Sequence, residues 1–159
     1  MTEIVVRVAD AAVACREATI STIGLGSCVA IMLYEPVARV GGLAHVLLPT
    51  ERLSQDRDNR AKFPATAVPL LLERMRAAGA HSARITARLA GGASMFPGMA
   101  TAGLQIGDRN VQASRQALAA AGLPIIAEDV GGAHGRTVVF RIADGRITVR
   151  SLVRGDVEL

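Results

Sequence analysis

The chain has 159 residues, half of them hydrophobic and 20% charged, a balance that suits one packed domain over 1–159 and not a disordered protein. Aromatics make up 3% and tryptophan is absent, so the core must be assembled from Val, Ile, Leu, Ala and Met, with few rings for nucleic-acid bases to stack on. The net charge of +4 comes from arginines scattered among acids, with one dense run from Arg52 to Lys62 that Asp56 and Asp58 interrupt; this argues against a nucleic-acid partner and fits an acidic protein surface better.

No apolar run reaches the roughly 18 residues of a membrane span, and the N-terminus lacks a signal-peptide core, so a cytoplasmic protein without membrane insertion is expected. The two cysteines, Cys15 and Cys28, form no Cys-x-x-Cys, and His45, His81 and His134 are far apart in sequence. Neither a disulfide framework, a metal site nor a cofactor is expected from that pattern.

In chain order, residues 3–8 alternate as a strand, and 18–23 form a second, rich in β-branched residues, ending in the glycine-punctuated turn Gly24-Leu25-Gly26-Ser27. Strands over 28–34 and 41–49 flank a turn at Pro36. If Pro36 to Arg39 closes that hairpin, Glu35 faces Val40, Ala30 faces His45, and Cys28 shares their face of the sheet; a loop one residue different puts Cys28 and His45 on opposite faces. Residues 49–65 read as a surface loop. A helix over 66–78 is expected, with Thr66 as N-cap, Pro69 at its third position and Gly79 as stop. A strand over 83–90 runs into the glycine loop Gly91-Gly92-Ala93-Ser94. A second helix over 108–121 and strands over 124–129, 137–142 and 146–152 complete the chain, the last two joined through Asp144-Gly145. The fold class is α/β, a single-domain layered sandwich of mixed strands with helices inserted singly.

The chemistry-bearing stretch is Thr22 to Cys28 together with His45. A buried cysteine is usually a small hydrophobe, which is how Cys15 reads. Cys28 differs because it follows two glycines at a strand entrance, where Gly26 and Ser27 can leave backbone N–H groups free for an oxyanion. A lone histidine in an apolar strand is more often a satisfied core residue; the shared face with Cys28 is what makes His45 a candidate base. The Thr22 hydroxyl can fix the tautomer of that imidazole, as the third member of a triad does. The glycines at Gly91 and Gly92, with Ala93 and Ser94, suit close backbone approach beside a substrate side chain. His81 and His134 read as solvated.

Taken together, Thr22-Ile-Gly-Leu-Gly-Ser-Cys28, Gly42-Leu-Ala-His45-Val-Leu-Leu-Pro49, Ala90-Gly-Gly-Ala-Ser-Met95, Ile106-Gly-Asp-Arg-Asn110 and Glu128-Asp-Val-Gly-Gly132 followed by Arg136 resemble the chemoreceptor glutamine deamidase family, CheD. The resemblance implies a fold shared with bacterial toxin glutamine deamidases and YfiH-like cysteine hydrolases. It also implies a Cys28-His45-Thr22 site, glutamine side chains of methyl-accepting chemotaxis receptors as substrate, and the phosphatase CheC as a partner in some lineages. The polar stretch 51–65 and the extension 97–105 depart from the family pattern and bear on partner contacts rather than on the triad. Three function classes follow: a cysteine amidohydrolase of this family, a module that binds CheC or a receptor with marginal hydrolysis, or another cysteine hydrolase of the same broad fold, against which stand Val46-Leu-Leu-Pro49 after His45 and the absence of tryptophan. The activated-thiol reading predicts that Cys28 alkylates faster than Cys15 at pH 7 and that activity falls with acidification between pH 9 and pH 5.

Overall fold

A computed structural model describes residues 2–95 and 105–159. The extension singled out at 97–105 lies outside them except for Gln105. Two five-stranded sheets form the frame. The first runs in the order β1 (Thr2–Val5), β3 (Ala18–Leu25), β8 (Arg136–Arg141), β9 (Arg146–Ser151), β10 (Gly155–Glu158). The second runs β2 (Ala11–Cys15), β5 (Val40–Val46), β4 (Val29–Glu35), β6 (Thr86–Gly91), β7 (Ile125–Val130). The pairs β1–β3 and β6–β7 are parallel and the others antiparallel. Helices α1 (Pro64–Ala77) and α2 (Ile106–Ala120) cover the outer face of the second sheet.

The central strand β4 explains the layering. All seven of its residues are buried. Side chains alternate across a strand, so Val29, Ile31 and Leu33 join Val68, Leu71, Val111 and Leu118 of the helices in one core. Ala30, Met32 and Tyr34 join Ile20, Val138, Phe140 and Val149 of the first sheet in the other. Each large side chain so buried contributes about 1.5–3 kcal/mol. Cys28 belongs to the second core, between the two sheets.

The hairpin register agrees with the sequence: Glu35 pairs with Val40 and Ala30 with His45. Helix α1 departs from it. Its N-cap is Phe63 and Pro64 opens it, so Thr66 is inside the first turn, where its hydroxyl donates to the carbonyls of Arg60 and Phe63. Pro69 consequently lies in the helix interior. The Ala65 carbonyl that loses its partner there is on an exposed residue, as is Pro69, so water can replace the missing N–H. Strands β2 and β10 have no counterpart in the sequence reading. The loop over 49–65 is tied down: the N–H groups of Leu47 and Leu48 donate to the Lys62 carbonyl, and the Asn59 amide donates to the Ala9 carbonyl.

Candidate active site

Thr22 and His45 come from different sheets and meet in the layer between them. Thr22 gets there through a β-bulge. Strand β3 pairs Thr22 with Val138 and Leu25 with Arg136, so one extra residue is inserted between the two pairs, where Gly24 takes φ +80°. The bulge lets Thr22 and Leu25 both face inward, each 0% exposed, and turns Ile23 out at 66%. His45 reaches the same layer because β5 pairs it with Ala30, whose side chain faces the first sheet.

The Thr22 hydroxyl donates to the Val6 carbonyl at 2.6 Å, and its oxygen lies 2.7 Å from His45 Nδ1. A hydroxyl has one proton, and that proton is directed at Val6, so the second contact needs an Nδ1–H donating to Thr22 Oγ1. His45 is thereby set in the Nδ1-protonated tautomer, with the lone pair on Nε2. That nitrogen is buried and has no hydrogen-bond partner among the described residues. Burial lowers the His45 pKa to about 4, so the ring is neutral near pH 7.

Cys28 lies one residue before β4, two positions from Ala30, and therefore on the His45 face of the sheet. It is 8% exposed. Burial raises its thiol pKa, opposed in part by its own backbone N–H. Thiol and imidazole are thus both held in their neutral forms at rest. The activated-thiol expectation is not supported by these shifts: loss of solvation raises the thiol, and the neutral ring supplies no charge to offset it. Cys15 is exposed, contrary to its reading as a buried hydrophobe, because β2 ends there at the sheet edge.

The turn before Cys28 is held by its carbonyls. Gly26 C=O accepts from Ala93 N–H at 2.8 Å, Ser27 C=O from the Asn110 side chain at 2.9 Å, and Cys28 C=O from Gly92 N–H at 2.8 Å. In a trans peptide the following N–H points opposite to the carbonyl. The N–H groups of Ser27 and Cys28 are accordingly turned away from the loop at 91–94 and from α2.

Gly91, Gly92 and Ala93 are buried, so they back this turn instead of lining a groove; Ser94 is half-buried and only Met95 is exposed. Gly91 is required at its position: it takes φ +108°, and a Cβ there would lie 2.3 Å from the Cys28 carbonyl oxygen. Its own carbonyl accepts from Gly131 N–H and, at 3.5 Å, from Arg136, which is itself paired with Asp129 at 3.3 Å in the interior. Beside the bulge, an open groove of about 690 Å3 is bordered by Ile23, Gly24, His134, Leu152 and Val153. His81 is exposed as expected; His134 is half-buried, with a buried Nε2 that has no partner among the described residues.

The sequence motifs include Asn110, Asp129 and Arg136 but assign them no role. The available signal was an asparagine inside a helix, where its propensity is poor and a polar contact is the usual compensation.

Comparison with known proteins adds a family to this geometry. The protein resembles a relative from Caldanaerobacter subterraneus subsp. tengcongensis named "Probable chemoreceptor glutamine deamidase CheD", at 44% identity over 94% of this chain and 93% of that protein. It resembles "Chemoreceptor glutamine deamidase CheD" of Halalkalibacterium halodurans at 43% identity over 89% and 88% of the two chains. Among solved structures, Neisseria meningitidis protein NMB0706, family-model DUF152, superposes with TM-score 0.50 at 10% identity, covering 84% of this chain and 65% of that one, a likeness of fold alone. The family model described as CheD chemotactic sensory transduction matches residues 47–151, and with relatives this close over nearly the whole length the chain belongs to the CheD family.

Proposed function

We propose that the protein is a chemoreceptor glutamine deamidase that hydrolyses glutamine side-chain amides of methyl-accepting chemotaxis receptors to glutamate and ammonia. The activity and substrate are those in the names of its relatives. The nucleophile is Cys28, the base His45 and the orienting group Thr22. The observation that carries this reading is the chain Val6 C=O, Thr22 hydroxyl, His45 Nδ1, which leaves an unpartnered lone pair on Nε2 in the layer that holds Cys28.

In the reaction, His45 Nε2 takes the thiol proton as sulfur attacks the carboxamide carbon, and the oxyanion is received by the N–H groups of the Gly26–Cys28 turn. His45 returns the proton to the departing amine, the C–N bond breaks, and ammonia leaves a thioester. Water, deprotonated by His45, then releases glutamate and the free thiol. Starting from a neutral pair, proton transfer accompanies attack; no stored thiolate is needed.

A second reading, a receptor- or CheC-binding module with marginal hydrolysis, is favoured by the burial of Cys28 and its raised pKa. The two are separated by ammonia release from receptor cytoplasmic fragments. Wild type is expected to release ammonia and Cys28→Ala none. Binding without ammonia from wild type favours the module, and ammonia from both proteins removes Cys28 from the mechanism.

A further inference from the structure

Asn110 is 0% exposed, in the second turn of α2. Its side-chain amide donates to two carbonyls that nothing in sequence connects: Ser27 at 2.9 Å and Leu47 at 3.1 Å. Both partners are pure acceptors, so the NH2 group must face them and the amide orientation is settled. The Ser27 carbonyl belongs to the peptide whose N–H is that of Cys28. The Leu47 carbonyl lies two residues beyond His45 on the same chain segment. One amide group therefore grips the peptide of the candidate nucleophile and the strand extension of the candidate base.

The geometry points to Asn110 as a positioning residue for the deamidation, resting on the reading of Cys28 and His45 given above. Its two N–H groups clamp the nucleophile's turn to the base's strand. By holding the Ser27 carbonyl inward they aim the Cys28 N–H at the oxyanion. Helix α2 is itself seated close enough to do this: Gly107, one turn earlier, packs so near the 92–93 loop that a Cβ there would lie 2.3 Å from the Ala93 carbonyl oxygen. The helix, the glycine loop and the cysteine turn thus form one unit. In it, Gly92 N–H and Ala93 N–H secure the carbonyls on either side of Ser27, while Asn110 secures the middle one. Without that bond the Ser27–Cys28 peptide is the one member of the turn free to rotate. Its oxygen would then replace its N–H at the place where negative charge develops.

Such a role separates attack on a carbonyl from the reactivity of sulfur itself. Alkylation by iodoacetamide displaces iodide and forms no oxyanion, so it reads access to the thiol and not the aim of the Cys28 N–H. The test uses the full chain in a Cys15→Ser background, with Asn110→Leu and Asn110→Ala. It compares ammonia release from receptor fragments, the alkylation rate of Cys28 and the melting temperature. The expected result is a fall in kcat of about 10²-fold with KM within about twofold, while Cys28 alkylation stays within about threefold of the parent. Asn110→Leu preserves volume and guards against a merely unfolded alanine variant. Unchanged kcat in both variants overturns the clamp. So does a loss of kcat matched by an equal change in alkylation, which marks a general structural role. If the parent releases no ammonia, the deamidase reading falls and takes the clamp's catalytic purpose with it. If the parent is active and the variants equal it, the clamp alone falls.

Discussion

His45 Nδ1 lies 2.7 Å from Thr22 Oγ1, and this contact decides which nitrogen of the ring is free for chemistry. The threonine hydroxyl is committed to Val6, so it can only accept from the imidazole. Thr22→Val keeps the shape of the side chain but removes both bonds, freeing the ring to adopt the other tautomer. We expect kcat for ammonia release to fall on the order of 10- to 100-fold, with Thr22→Ser retaining most of it. Equal losses in the two variants would show that the methyl group, not the hydroxyl, matters.

The pH profile follows from burial. His45 acts as a base only when neutral, and its pKa is lowered to about 4. The thiol pKa is raised. The free enzyme therefore stays in one protonation state across the neutral range, and kcat/KM should be level from about pH 5 to pH 9, with loss of activity as pH falls through about 4. A level profile departs from the decline on acidification between pH 9 and pH 5 that the sequence leads one to expect. A midpoint near 6.5 for the acid limb, the ordinary value for histidine, would mean that burial does not govern the ring.

The cysteines should differ in the opposite order to that expected from sequence. Cys15 is exposed, whereas Cys28 is buried with a raised pKa. At pH 7 iodoacetamide should label Cys15 first, by about tenfold or more in rate, as read by peptide mass spectrometry over time. Faster labelling of Cys28 would point to an ion pair with His45 in the resting protein.

How far the fold was legible depended on whether a local rule had a competitor. The hairpin from Cys28 to Pro49 was legible because a four-residue turn leaves only one pairing that buries both faces, and Ala30 does pair with His45. Strand β2 was not, since Ala11-Ala-Val-Ala-Cys15 offers no contrast between its faces for a period of two to show. Strand β10 is four residues of mostly exposed chain, held by pairing to β9 and not by a hydrophobic face. The start of α1 was misplaced because Thr66 has the chemistry of a cap, while Pro64 at the first helical position carried the stronger signal. At the candidate site, the shared face of Cys28 and His45 could be read from the hairpin register, but their ionisation could not, because desolvation depends on layers contributed by β3, β8 and β9.

Glu35 offers the last test, because it holds the turn that puts Cys28 and His45 on one face. It is buried at the end of β4, accepts from the N–H groups of Val37, Ala38 and His81, and pairs with Arg84 at 3.1 Å. The Arg84 hydrogen bond, with those backbone donors, lowers its pKa to about 2 despite burial. A carboxyl with a depressed folded pKa contributes stability that is fully present above its unfolded value, about 4.3. That contribution is lost as pH falls toward about 2. Glu35→Gln should therefore destabilise the protein at pH 7 by about 1–3 kcal/mol, and the difference from wild type should shrink between about pH 4.3 and pH 2. His45, buried neutral, weakens the fold from about pH 6.5 down through about 4, but equally in both proteins, so it cancels from the comparison. Urea denaturation at several pH values reads the difference directly. A gap between the two proteins that stays constant down to pH 2 would mean that the carboxylate charge contributes nothing to the turn.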